Sequence, residues 1–453
     1  MARKRIFVSA YACEPGLGSE IGVGWHWVLE MSKYFDLWVL TRRSNMPNIN
    51  AWLAENPDFS NINFIYYDLP KWARFWKKGL RGVRLYYILW QLCSNNIVKR
   101  TMIENNISIF HHLTYGNALW NVSRYGSKQI FIWGPVGGLE TIPDNFSRHY
   151  DTKCRIIEKF RRFAVACAKL NVGFYYRCKQ ADIILCKTEH TLKRIPRRFA
   201  AKAILFTDVA ADVAADVIAH SDIINNSIPP AKNITDNINI SSDSFPVCAP
   251  DSCCEISSVA HNASSNSIDK AINFISVGRL DAWRGFDLVL EAFAIARKQN
   301  NRLNLTIVGD GNDKSRLISI VDKLNISSSV SFTGNVTMSE YKSLMHTADV
   351  VVNASLKEGA VTVSFDAVSL GKPLICLDTT GYTRCFSEKY AVIIPILERN
   401  TVIDKIKDAM LTLANNEQRH QMSLNALNAS SSLSWQNHGK QFRDILLDKL
   451  QIS

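Results

Sequence analysis

Two arginines bracket a turn in VGRLDAWRGFD (277–287). The apolar residues before Gly278 read as the end of a strand, and a helical pattern begins near Phe286. Arg279 and Arg284 are thereby predicted at the carboxyl edge of a parallel strand, where α/β sheets receive their ligands. Guanidinium groups pair with phosphate oxygens through paired hydrogen bonds, so the chemistry suggested is phosphate capture. A second motif, SLKEGAVTVSFDAVSLGKPLICLD (355–378), also follows a strand. Glu358 falls in its loop, a helix is predicted to begin near Val361, and Asp366 lies two turns into it. Amides at a helix N-terminus favour anions. Gly359 and the amides of Ala360, Val361, Thr362 and Val363 are therefore read as facing a diphosphate. The carboxylates of Glu358 and Asp366 suit sugar and ribose hydroxyls. Together the two motifs predict a nucleotide-sugar site.

The first half of the chain offers weaker signals. YACEPGLGSEIGVGWHW carries Gly16, Gly18, Gly22 and Gly24 after a strand, a loop in which backbone could approach a ligand closely. It lacks the G-x-G-x-x-G spacing of dinucleotide sites. ISIFHHLTYGN ends a strand at His111 and His112, and FIWGPVGGLET ends another near Gly137 and Gly138. Gly16, Gly18, His111, His112, Gly137 and Gly138 are the candidates for the other wall of a cleft. KWARFWKKGLRGVRLYYILW (71–90) is read as one helix with a basic stripe opposite an aromatic one. Its Lys71, Trp72, Arg74, Trp76, Lys77, Lys78 and Arg81 would suit an anionic membrane surface. The plainer reading is that its aromatic side packs on the core.

The elements that must position these groups are legible as short apolar runs. Strands are predicted at 4–10, 36–41, 62–67, 107–112, 129–133 and 181–186, and again at 272–277, 303–308, 329–333, 348–354, 373–378 and 391–395. Several are continuously apolar, as parallel strands covered on both faces must be. Alternation with helical stretches, twice over, predicts an α/β protein with two doubly wound domains. The boundaries read 1–206, a Ser/Asn/Asp/Ala-rich linker at 207–270, a second domain at 271–425, and a C-terminal helix within 426–453. The linker has too little core material to pack and is predicted to be disordered.

Composition sets the outer bounds. The chain has 453 residues, 47% hydrophobic and 21% charged, with a net charge of +12. That is a globular composition of two or three domains with a preference for anionic partners. No apolar run of about 18 residues is present, so no membrane span is expected. The eleven cysteines show no C-x-x-C spacing and mostly sit in apolar runs, consistent with a cytoplasmic location. Nothing resembles a nucleic-acid module, so nucleic acid is not expected as a partner.

The run G-R-L-x-x-x-(K/R)-G followed by E-x7-(E/D) resembles the retaining glycosyltransferases of family 4, also called glycosyl transferases group 1. SAYACEPGLGSEIGVGW, HHLTYG and WGPVGG resemble a bacterial subgroup with an ACEPG-type opening. The resemblance implies a GT-B fold, two Rossmann-like domains facing across a cleft, with a C-terminal helix crossing back. It implies donor binding by the second domain and acceptor binding by the first. Arg279 and Arg284 would hold the donor diphosphate, Glu358 the transferred sugar, and Asp366 the ribose. His111 or His112 would touch the donor sugar, and Gly16 and Gly18 would line the diphosphate or acceptor side. Catalysis would fall to Glu358, His112, Arg279 and Arg284, with no metal and no cofactor. The family usually has Lys where this chain has Arg284, and Glu where it has Asp366. The implied activity is retaining transfer from a nucleotide-sugar to a lipid-linked glycan at the inner face of the plasma membrane, in O-antigen, capsule or lipopolysaccharide synthesis. A nucleotide-sugar epimerase of the same fold and a non-catalytic sugar or membrane binder are the alternatives.

Overall fold

The computed structural model describes residues 3–77, 82–120, 122, 129–213, 271–358, 361–379 and 381–450. Within them the chain builds two wholly parallel sheets. The first contains β1 (Arg5–Ser9), β2 (Asp36–Arg42), β3 (Ile62–Tyr67), β4 (Ile109–His112), β5 (Ile130–Val136), β6 (Ile183–Cys186) and β7 (Ala203–Leu205). Their order is β3-β2-β1-β4-β5-β6-β7. The second contains β8 (Ile272–Val277), β9 (Leu303–Val308), β10 (Val330–Gly334), β11 (Val350–Asn353), β12 (Leu374–Asp378) and β13 (Ala391–Pro395), in the order β10-β9-β8-β11-β12-β13. Both sheets therefore reverse direction of growth once, between β1 and β4 and between β8 and β11. Loops leaving the carboxyl ends of those two strands splay apart there and leave a crevice.

The central strands are buried on both faces, as their unbroken apolar runs require: Ile6, Phe7 and Val8 of β1 are fully covered. The edge strand β7 was not predicted. It has three residues, all half-buried, too few for a pattern to register. Two glycines permit close approaches that place the loops. Gly24, in the helix Ser19–Ser32, would carry a Cβ only 2.0 Å from the Ala12 carbonyl oxygen, so only glycine lets this helix sit against the end of β1. Gly285 has φ +70°, and a Cβ there would meet the Ala354 carbonyl oxygen at 2.1 Å. Its left-handed backbone turns the chain into the helix Phe286–Gln299 while pressing the Arg284 turn against the end of β11.

Two expectations are corrected. Residues 71–90 do not form one helix. Lys71–Ala73 is a single 3-10 turn, and the helix Val83–Cys93 starts only after Gly82, whose φ of +79° cannot continue a right-handed helix. Trp76 joins Tyr86 and the core, whereas Trp72 and Phe75 are each 78% exposed. Lys78 and Arg81 lie outside the described residues. Residues Thr207–Val213, read from the sequence as part of the disordered linker, are ordered. Thr207–Val213 is pinned: Ala211 N–H donates to the Leu433 carbonyl at 2.7 Å, and Trp435 N–H donates to the Ala211 carbonyl at 3.1 Å. Residues 214–270 lie outside the described residues.

That strap leads to the C-terminal helix Trp435–Leu450, which lies on Ser19–Ser32 of the first domain. Ser434 Oγ caps it, accepting from Asn437 N–H at 3.2 Å. Its buried face inserts Phe442 and Leu446. Phe442 meets Trp27 at 5.0 Å and stacks on His111 at 5.2 Å between ring centroids, and His438 meets Trp27 at 4.7 Å. The helix thus closes the first domain's core from the far end of the chain. Phe442→Ala should cost about 3–5 kcal/mol in denaturant unfolding. Leu447→Ala, on the same helix but 39% exposed, should cost about 0.5 kcal/mol or less.

Candidate active site

The carboxyl ends of the two sheets face each other across a cleft of about 1480 Å³. The second domain contributes Gly278, Arg279, Arg284, Glu358, Val361, Thr362 and Asp366. The first contributes Gly18, Gly137 and Gly138 from the predicted set. Gly18 approaches Met338 so closely that a Cβ would lie 2.9 Å from its methyl carbon. Asn145 donates to the Leu397 carbonyl at 3.0 Å, and Glu158 pairs with Lys357 at 3.0 Å, further ties between the domains.

Arg284 and Glu358 meet because β8 and β11 are neighbours. Arg284 Nη1 lies 2.7 Å from Glu358 Oε1, and the guanidinium stacks on the Trp283 ring at 4.6 Å. Arg284 Nε is buried and makes no hydrogen bond among the described residues. Burial pushes the Glu358 carboxyl up, and Arg284 opposes that shift. Arg279 is more open: it pairs with Asp281 at 2.6 Å and its side chain is 60% exposed. Asp366 accepts a 2.6 Å hydrogen bond from Tyr341, another cleft residue, and helix Thr362–Ser369 begins just ahead of it. Gly359 and Ala360 lie outside the described residues. Gly16 lies in the same loop as Gly18 but does not line the cleft.

His111 and His112 are corrected. Both are fully buried and neither lines the cleft. They point across the sheet into opposite layers, as neighbours on a strand must. His111 Nε2 donates to the Gly134 carbonyl at 2.7 Å, and His112 Nε2 lies 3.1 Å from the Tyr87 hydroxyl. Burial pushes their pKa values down to about 4 and about 3, with His111 and Arg177 adding to the fall at His112. Both are neutral near pH 7. They are core histidines.

The first domain's own charged groups were missed. Lys187 follows β6 and pairs with Asp208, with Glu20 at 3.9 Å. Burial disfavours its charge, but Asp208 and Glu20 outweigh it and hold the ammonium above the usual lysine range. Glu140 accepts from Thr188 at 2.8 Å, Thr191 at 3.0 Å and Gly138 N–H at 2.7 Å. Glu20 accepts from Tyr115 N–H at 2.7 Å. All line the cleft. Strand-end position was a usable signal for Lys187 and Glu140. Asp208 lay in the presumed linker and carried none. The lining holds more carboxylates than cations, an arrangement suited to many hydroxyl donors around the cations Arg279, Arg284 and Lys342 on one wall.

This geometry defines a class: two doubly wound parallel domains with the site between them, the GT-B fold. The fold matches solved GT-B structures over nearly the whole chain. An Anabaena protein, HepE, in complex with UDP superposes with a TM-score of 0.53 over 98% of this chain and 100% of that one, at 12% identity. WaaG, a glycosyltransferase involved in lipopolysaccharide biosynthesis, gives 0.54 over 97% and 99%, at 13% identity. In sequence, residues 260–429 match the family model of glycosyl transferases group 1. An uncharacterized glycosyltransferase of Haemophilus influenzae is 26% identical over 150 residues, 33% of this chain and 41% of that protein. The chain therefore spans less than half the length of that relative.

Burial pushes Asp366 up to about 6, with the Tyr341 hydrogen bond opposing. Its ordinary value is 3.8, so the buried carboxylate destabilises the native state above pH 6. That penalty is relieved as pH falls from about 6 towards 4. Asp366→Asn should therefore raise the melting temperature at pH 7.5, and the gain should shrink as pH falls below about 6 and become small near pH 4. Paired thermal melts of variant and wild type across this range check it. A difference that stays constant with pH would remove the buried carboxylate as the cause.

Proposed function

We propose that the protein is a glycosyltransferase moving a sugar from a nucleotide-diphosphate donor to a glycan acceptor, with retention at the anomeric carbon. The observation that carries this reading is the partly buried Arg284–Glu358 contact at the crevice between β8 and β11. The match of residues 260–429 to glycosyl transferases group 1 supports it, as do neighbours solved with UDP and UDP-glucose. Arg284 and Arg279 neutralise charge that develops on the departing diphosphate, aided by amides at the start of Thr362–Ser369. Such preorganised groups act most strongly where water is excluded. Glu358 orients a hydroxyl of the transferred sugar while Arg284 holds its carboxylate in place. Asp366 takes the ribose hydroxyls, and Tyr341 fixes its orientation. The carboxylates on the opposite wall, Glu20, Glu140 and Asp208, hold acceptor hydroxyls. In this reading the diphosphate oxygen receives the acceptor's proton, and no metal or cofactor is needed.

The acceptor is a lipid-linked glycan of a bacterial surface polysaccharide, and the enzyme works at an anionic membrane face in the cytoplasm. The likeness to WaaG and to an alpha-monoglucosyldiacylglycerol synthase of Streptococcus pneumoniae, 28% identical over 115 residues, supports this part. Among the described residues no helix is long and apolar enough to cross a membrane.

The test is turnover of a panel of nucleotide-sugars, with and without chelator, followed by release of nucleoside diphosphate. Arg284→Ala and Glu358→Ala should each lower kcat/KM by about 10²–10³. Turnover that is unchanged in both would defeat the reading, as would sugar isomerisation without transfer. Donor binding without product from any acceptor would make the protein a binder.

A further inference from the structure

The helix Thr152–Ala166 is inside out for a globular protein. At 100° per residue its buried Glu158 and Val165 fall on one side, and Ile156, Phe160 and Phe163 fall on the other. Phe160 is 72% exposed and Phe163 70%. Leu170, the last residue of the following 3-10 turn, and Val172, the first of the next helix, extend this apolar surface, each 81% exposed. Exposed apolar residues scattered singly need no explanation, but a stripe of aromatic side chains on the outer face of one helix does.

The charge around this stripe selects its partner. Residues 152–181 hold eight lysines and arginines and a single acid, Glu158. That acid is turned inward, accepting from Ile142 N–H at 3.1 Å and pairing with Lys357 at 3.0 Å. Arg161 and Arg162 also turn inward, donating to the carbonyls of Glu140 and Ile142. Lys153, Arg155 and Lys159 remain exposed and flank the apolar stripe. An aromatic ridge between cations, with no outward acid on the helix, is complementary to acyl chains beneath an anionic headgroup layer.

We infer that the outward face of Thr152–Ala166 is the surface on which this protein docks to an anionic lipid bilayer. This deepens the membrane part of the proposed function and rests on it. It also moves the contact away from residues 71–90, whose aromatic stripe the structure divides between core and surface. The inward edge of the same helix holds the loop of Gly138 and Glu140, which lines the cleft, and Lys357, which precedes Glu358. A docked helix would therefore hold the cleft about one helix diameter, ~10–12 Å, from the bilayer. That is within reach of a glycan whose lipid stays in the membrane.

The experiment is sedimentation of the full chain with vesicles of phosphatidylcholine alone or mixed equally with phosphatidylglycerol. Wild type should bind the mixed vesicles and not the neutral ones. Phe160→Ser with Phe163→Ser should weaken binding about tenfold or more, at unchanged melting temperature and UDP binding. Lys153→Glu with Lys159→Glu should weaken it and flatten its salt dependence. Retained binding in the phenylalanine variant, lost instead in Trp72→Ser with Phe75→Ser, would overturn the helix assignment and leave the membrane reading standing. No binding by wild type would defeat the membrane reading itself. Equal binding to neutral vesicles would overturn the anionic partner. Self-association abolished by the phenylalanine variant, without vesicle binding, would replace the bilayer by a second copy of the chain.

Discussion

A guanidinium and a carboxylate held together at the partly covered floor of a cleft are the constraint around which the second domain is arranged. Arg284 and Glu358 come from loops far apart in sequence, and they touch because β8 and β11 lie side by side where the sheet reverses its order. A partly buried pair of this kind still costs desolvation that offsets some of its attraction. Glu358 shows that strain as a carboxyl pushed up by burial and drawn back by Arg284. Such a pair is poor stability design and good site design, because an entering anion can share the arginine without reorganising it.

The first domain answers with charges of its own. Lys187, Asp208, Glu20 and Glu140 are tied to one another or to nearby hydroxyls and amides, so the wall opposite the arginines is fixed before any ligand arrives. Asp208 reaches that wall from the strap Thr207–Val213, which the C-terminal helix pins. Trp27 donates to the Asp208 carbonyl at 2.9 Å and packs on Phe442 of that helix. Site and scaffold are thus the same structure here, and the last helix of the chain supports a group in the first domain's wall.

The strands were the most legible part of the sequence, because parallel strands buried on both faces leave unbroken apolar runs. Among the described residues all twelve predicted strands form, several of them as such unbroken runs, and β7, which was not predicted, is three half-buried residues at an edge. The arginine and glutamate motifs were legible because strand-end chemistry is local. The helix at 71–90 misled because stripe geometry cannot see a left-handed glycine: Gly82 breaks the pattern that the side chains suggest. The reverse case is Thr152–Ala166, whose aromatic stripe faces outward. Periodicity reports that a helix has two faces and is silent on which one the core takes.

By itself, then, the sequence determined the α/β class, the doubling of the domain, and the arginines and carboxylates of one wall. Each is written in contiguous residues, where periodicity and side-chain type suffice. Only the tertiary structure decided that His111 and His112 belong to the core, that Asp208 belongs to the cleft, and which aromatic stripe meets solvent. Those outcomes depend on which strand neighbours which, and on contacts between residues hundreds of positions apart, such as Trp27 with Asp208 and Phe442.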